Sequence, residues 1–228
     1  MEYVEVARAQ SERGELVLRE RRADGGAPGV LELRANGVFV MDTQETSTEE
    51  ALATACLALV PEPATVLVGG LGLGFTAREV LADPRVRRCV VVEIEQALVY
   101  WMRDGTIPHG PDLLAEERLE VVVADVAVAL AQARPASYDL VLLDVDNGPG
   151  YLVHDANAGL YETPFLTRLR TLLRPGGAAA IWSAAEEPEL EAAMRTAFGG
   201  AEAHPLAVRL QEREEHYWLY VARVPSPA

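Results

Sequence analysis

The chain has 228 residues, 50% hydrophobic and 24% charged, the balance of a globular protein with one sizeable core rather than of a disordered or fibrous chain. Its formal net charge of −15 opposes nucleic-acid phosphates and anionic membrane surfaces, where binding needs Lys and Arg, and leaves cationic small molecules as the natural partners. No apolar run nears the roughly 20 residues of a bilayer span, and the first residues lack a basic-then-apolar leader, so neither nucleic acid nor membrane is an expected partner and a cytoplasmic location is expected.

From Glu15 to Met41 the chain is cut into short extended pieces: ELVLRE, a turn at Asp24-Gly25-Gly26, GVLELR, a tight turn at Ala35-Asn36-Gly37, and VFVMD. The last two pieces predict a hairpin, because Asn-Gly readily takes the positive φ angles of a two-residue turn. Thr46-Ser47-Thr48, followed by Glu49-Glu50, opens a helix through about Leu59 with a hydroxyl cap and acids in its first turn; Pro61 and Pro63 end it. After Pro63 strand and helix alternate: TVLVG, FTAREVLA, RCVVVEIE, a helix through Met102, LEVVVADV, a helix through Ala133, and YDLVLLDVD. Continuous Val and Leu runs mean strands buried on both faces, as in a parallel sheet covered by helices. A helix from about Asn157 to Leu173 stops at Arg174-Pro175-Gly176-Gly177, and the strand AAAIWSA follows. A last helix near Glu189 to Phe198 leads into PLAVRLQ and HYWLYVARV, joined by the polar stretch Glu212 to Glu215, so the final strand is expected to run antiparallel. The predicted fold class is α/β, a Rossmann-like doubly wound sheet over residues 46–228 behind a small β-hairpin region over 1–45.

Val66 to Gly74, VLVGGLGLG, ends a buried strand and enters a helix; glycines let backbone approach a ligand, and the helix start offers free N–H groups. The same glycines also permit tight strand–helix packing. Glu93 ends the next strand 19 residues past Gly74, where an acid reaches a ribose diol in such folds or simply stands solvated. Asp125 ends the third strand, either accepting from an adenine amino group or capping a helix. The fourth strand ends in Asp144-Val145-Asp146-Asn147-Gly148-Pro149, a polar cluster that packing does not need. Attack on a sulfonium needs alignment and a carboxylate to take the amine proton, so Asp144 is the candidate base, with a strand-end cap or an electrostatic partner of the sulfonium as the alternatives.

These segments resemble the spermidine synthase (polyamine aminopropyltransferase) group within the class I S-adenosylmethionine-dependent methyltransferase fold. The likeness runs from the N-terminal hairpins through VVVEIE, ADV and YDLVLLDVDNGPG to LLRPGG. It implies that Gly69, Gly70, Gly72 and Gly74, with Ile94 and Val126 beside the acids, hold the nucleoside and its tail, Glu93 the ribose and Asp125 the base. It also implies a catalytic Asp144, with Asp146 or Asn147 near the amine, and a homodimer. Glu49 falls at the acceptor-side helix, and Tyr151, His154, Asp155, Asn157 and Tyr161 follow Gly148-Pro149-Gly150 where the family has a lid. Three departures stand out: the acid of the family's glycine turn, which holds the amine of the decarboxylated cofactor, is replaced by Leu71-Gly72-Leu73; the Tyr-His/Gln-Glu of its first helix by Glu49-Glu50-Ala51; and its longer acidic turn by DVDNGP.

Two transfers therefore fit. One moves an aminopropyl group from decarboxylated S-adenosylmethionine to a cationic amine, leaving methylthioadenosine; the other moves a methyl group from S-adenosylmethionine to a small molecule, leaving S-adenosylhomocysteine. A silent nucleoside-binding scaffold is the third reading, and the final antiparallel strand disfavours an NAD-dependent dehydrogenase. Cys56 and Cys89 stand among apolar residues and predict buried thiols, Trp101, Met102, Trp182 and Trp218 predict core, and the four histidines lack metal-ligand spacing, so no metal is expected.

Overall fold

The computed structural model describes residues 2–22, 29–210 and 213–226. Strands β1 (Glu2–Ser11), β2 (Gly14–Arg22), β3 (Val30–Ala35) and β4 (Val38–Asp42) form a four-stranded antiparallel sheet in sequence order. β1 is not among the predicted elements: it is an edge strand with charged residues on both faces and a bulge between Glu5 and Ala7, so it shows no clean alternation. The predicted Asn-Gly hairpin joins β3 to β4, with φ of 51° at Asn36 and 77° at Gly37. Asn36 also ties this turn to the β1–β2 turn, donating to the Arg13 carbonyl (3.0 Å) and accepting from the Glu15 N–H (2.9 Å). The turn expected at Asp24-Gly25-Gly26 lies outside the described residues, as does Glu212 of the C-terminal connection.

Helix α1 (Ser47–Leu57) starts where expected, but without a hydroxyl cap. Thr46 instead donates to the Glu50 carboxylate at 3.0 Å, and Glu45 supplies the acceptor for the Ser47 N–H at 3.0 Å, a charged oxygen outcompeting a hydroxyl at the positive helix end. There follow β5 (Thr65–Gly69), α2 (Phe75–Ala82), β6 (Arg88–Glu93), α3 (Gln96–Arg103), α4 (Gly110–Leu114), β7 (Leu119–Val123), α5 (Val126–Gln132) and β8 (Tyr138–Leu143). The helix expected over 157–173 is two elements, a 3₁₀ segment at Asp155–Tyr161 and α6 (Thr163–Leu172). Glu162 between them is extended (ψ 152°), and Pro164, which has no N–H to give, starts α6 afresh in its first turn. The chain closes with β9 (Leu173–Ser183), α7 (Pro188–Phe198), β10 (Glu202–Leu210) and β11 (Arg213–Arg223).

The second sheet has seven strands in the order β10-β11-β9-β8-β5-β6-β7. β5 pairs in parallel with β6 and β8, β7 with β6, and β9 with β8, whereas β11 runs antiparallel against β9, as the C-terminal hairpin predicts. On one face Leu52, Val66, Val68 and Leu142 share a core cluster with Leu18 and Leu33 of the first sheet, so one hydrophobic core joins the two sheets. On the other face Leu67, Val141 and Leu143 meet Leu166, Leu169 and Met194. Each such side chain contributes about 1.5–3 kcal/mol by leaving water. Cys56 and Cys89 are free and buried, and burial pushes both thiols up to about 12. Because β5, β6, β7 and β8 run the same way, the residues that follow them gather at one rim.

Candidate active site

At that rim β5 delivers Gly69 and Gly70 next to the end of β8, where the Asp144 N–H donates to the Gly69 carbonyl at 2.8 Å. Gly70 has φ 94°, and a Cβ there would lie 1.9 Å from the Asp144 carbonyl oxygen, so only glycine lets the two strand ends approach. Gly72, at φ 50°, faces the Met41 thioether, 2.6 Å from where its Cβ would stand, and the same sulfur accepts from the Leu73 N–H at 3.2 Å.

Glu93 ends β6 and is only 5% exposed. One oxygen accepts from the Leu71 N–H at 2.7 Å and the other from the Glu95 N–H at 2.6 Å, so the acid is bolted to the glycine turn on one side and to the start of α3 on the other. Burial pushes its pKa up, opposed by these N–H donors. A carboxylate keeps further lone pairs for a diol. Asp125 caps α5, accepting from the Ala127 N–H at 2.7 Å, and is exposed at the rim.

Asp144 is half-buried and accepts from the Thr76 hydroxyl, in the first turn of α2, at 2.9 Å. Burial raises it to about 6, against the pull of that hydroxyl. Glu49, buried in the first turn of α1, is raised to about 7, first by burial and then by the negative Asp144 beside it, with the Thr48 hydroxyl at 2.8 Å opposing.

These groups line a single cavity of about 610 Å³. Its walls bring together Gly70, Gly72, Glu93, Ile94, Asp125 and Val126 on the nucleoside assignment and Glu49, Asp144, Asp146, Asn147 and Tyr151 on the catalytic and acceptor assignment. Gly69, Gly74 and Tyr161 do not reach it. A Cβ at Gly69 would meet Leu143 and Val126, one at Gly74 would meet Leu113 and Met102, and Tyr161 is buried in the core. Those two glycines serve close packing, and Gly74 starts α2 from a left-handed conformation.

Asp146 lines the cavity and also organises its own loop. Its oxygens accept from the N–H groups of Asn147 (2.8 Å) and Val153 (2.7 Å), from the Asn157 amide (2.8 Å) and, at 3.4 Å, from the His154 N–H. It gathers the segment from Asn147 to Asn157 onto the cavity, while the Asn147 carbonyl accepts from the Ala184 N–H at 3.0 Å. Tyr151 on that segment is 65% exposed. Trp182, expected as core, is half-buried on the cavity wall and packs edge-on against Tyr217 at 4.9 Å.

Several contributors carry no signal in the sequence. Arg13, in the β1–β2 turn, donates to the Glu95 carboxylate at 2.7 Å and to the Ile94 carbonyl at 2.9 Å, and Ser11 donates to Glu95 at 3.2 Å, locking the first sheet to the rim. Met41 and Thr76 are ordinary in sequence and become informative only beside Gly72 and Asp144. Among the described residues, no group of three or more His, Cys, Asp or Glu side chains gathers with metal-binding geometry.

A seven-stranded, mostly parallel sheet with an antiparallel last strand and a cavity at its glycine turn defines a Rossmann-like fold of the class I S-adenosylmethionine type. Within that class the chain belongs to the spermine/spermidine synthase domain family, which it matches over residues 45–198. It is 33% identical over 144 residues to polyamine aminopropyltransferase 2 of Pseudomonas aeruginosa, covering 61% of this chain and 39% of that protein. It is 31% identical over 123 residues to putrescine N-methyltransferase 3 of Nicotiana tabacum, covering 53% and 30%. The chain thus spans well under half the length of these curated relatives. The fold is shared with a spermidine synthase solved in complex with the transition-state analogue AdoDATO, at a TM-score of 0.79 and 18% identity over 96% of this chain and 73% of that one.

Proposed function

We propose that the protein transfers an aminopropyl group from decarboxylated S-adenosylmethionine to an amine of a polyamine, with Asp144 as the base. The observation that carries this reading is the charge of the cavity. Eight acids line it, Asp42, Glu45, Glu49, Glu93, Glu95, Asp125, Asp144 and Asp146, against Arg13 and His154, and Arg13 is already paired with Glu95. Such a wall favours a sulfonium and ammonium groups, and among the described lining residues it offers no unpaired Arg or Lys to a carboxylate.

In this reading Glu93 accepts from the ribose hydroxyls, Asp125 from the adenine amino group, and the backbone at Gly70 and Gly72 lets the nucleoside lie close. The acceptor nitrogen attacks the propyl carbon bonded to sulfur; the C–S bond breaks with its electron pair going to sulfur, methylthioadenosine leaves, and the amine proton passes to Asp144. Its pKa near the working pH suits a base that must pick up and release that proton. Residues 46–228 form the catalytic unit and 1–45 a small region that closes it. The cytoplasmic location rests on the sequence, and the homodimer on the family likeness.

Methyl transfer is the second reading, favoured by a glycine turn without an acid and by the likeness to a putrescine N-methyltransferase. Incubating the protein with putrescine and either decarboxylated or carboxylated S-adenosylmethionine, and weighing the product by mass spectrometry, separates the two. Addition of an aminopropyl group from the decarboxylated donor is the expected result; addition of a methyl group from the carboxylated donor would replace the first reading with the second.

A further inference from the structure

The acids on the cavity wall fall into two groups once their partners are counted. Glu93 and Asp146 are tied by backbone N–H groups, Glu95 pairs with Arg13, and Asp125 caps α5. Asp42 accepts from the Gln44 and Glu45 N–H groups and pairs with Arg21 at 3.3 Å, and Glu45 accepts from Ser47. Glu49 and Asp144 remain, each holding one hydroxyl and, among the described residues, neither within ion-pair distance of a cation. Glu50, the very next residue, shows what a first-turn acid does when it serves only its helix: it is partly exposed, takes the Thr46 hydroxyl and lies 3.8 Å from Arg78. Glu49 is only 9% exposed and faces the cavity, where burying a carboxylate without a counter-charge is costly.

The glycine turn cannot supply an acid of its own. Leu71 and Leu73 are buried in the core, and any side chain at Gly72 would run into the Met41 thioether. Met41 belongs to the strand just before α1, and Met41, Gly72, Glu49 and Asp144 all line the same cavity.

We propose that Glu49 is the specificity residue for the donor: with Asp144 it clamps the ammonium at the end of the aminopropyl tail and thereby selects the decarboxylated nucleoside over the carboxylated one. This rests on the nucleoside reading above. A carboxylate on the same tail would face these two acids, whereas a nucleoside with no charged tail would not meet Glu49.

Calorimetric titration of the whole protein with decarboxylated S-adenosylmethionine, S-adenosylmethionine and methylthioadenosine, for wild type, Glu49→Gln and Glu49→Asp, tests it. Wild type is expected to prefer the decarboxylated donor. Glu49→Gln should weaken that donor by about tenfold or more, leave methylthioadenosine within about twofold, and abolish the preference; Glu49→Asp, which keeps the charge, should retain it. Equal weakening of all three ligands, an unchanged affinity for the decarboxylated donor in Glu49→Gln, or a wild-type preference for the carboxylated donor would overturn the assignment while leaving the nucleoside site standing. Failure of wild type to bind methylthioadenosine would remove both.

Discussion

Glu93 and Asp144 end the two strands that flank β5 at one rim, yet they are held in opposite ways. Glu93 is fixed by two backbone N–H donors that tie the glycine turn to the start of α3. Asp144 has one hydroxyl and shares the cavity with a second acid, Glu49, whose pKa its charge helps to raise. Backbone donors do not reorganise, so the β6 side is suited to holding a neutral sugar in one place. The β8 side keeps charge that nothing in the described chain neutralises, which makes it the place where a cation or a proton has to arrive.

The sharpest way to break this contrast is Asp144→Asn. It removes the proton acceptor but keeps shape and polarity, so turnover should fall by about 10²–10⁴-fold while methylthioadenosine affinity stays within about threefold. Steady-state kinetics with calorimetry checks this, and unchanged turnover would remove Asp144 as the base. Glu93→Ala should do the reverse. It deletes the proposed ribose contact and orphans the Leu71 and Glu95 N–H groups, so nucleoside affinity should drop by about 10–100-fold and stability by about 2 kcal/mol in urea unfolding, with an effect on kcat smaller than that of Asp144→Asn.

Asp146→Ala should loosen only the segment that Asp146 holds at the cavity. Amide exchange at Val153 and His154 should accelerate and the KM for the acceptor rise several-fold, with nucleoside affinity preserved. The smallest effect expected is on the dependence of stability on pH. The folded-state pKa values of Glu49 (about 7) and Asp144 (about 6) lie above their ordinary 4.5 and 3.8, so their ionised forms oppose folding. That penalty is present above pH about 7, is relieved as the pH falls through 7 and then 6, and is gone near pH about 4. Thermal midpoints should therefore rise on acidification from pH about 8 to about 5 while turnover falls, because the base must be ionised. Asp83 and Glu116, held low chiefly by Arg85 and Arg118, act in the opposite sense only below their ordinary range, while Glu93, also raised by burial, adds to the effect.

How far the sequence alone reaches follows from the same physics. The sheet was legible because buried parallel strands need unbroken runs such as Val90-Val91-Val92, and the rim acids because they stand directly after such runs. β1 was not, since an edge strand carrying Glu and Arg on both faces shows no periodicity. Pro164 divided a segment whose apolar spacing alone read as one helix. Gly74 read as part of a cradle, but what surrounds it is Leu113 and Met102, brought there only by folding. That Asp146 also holds the N–H groups of its own loop was not legible, because an acid after a strand looks the same with or without that role. That Glu49 and Asp144 line one cavity depends on how α1 docks against α2 and β8, which no local pattern encodes.

The most direct test is the structure of the protein bound to methylthioadenosine. Both ribose hydroxyls are expected within about 2.5–3.0 Å of the Glu93 carboxylate, with the sulfur turned toward Asp144. A nucleoside bound away from the glycine turn, or lying there with its ribose hydroxyls out of reach of Glu93, would overturn the site assignment.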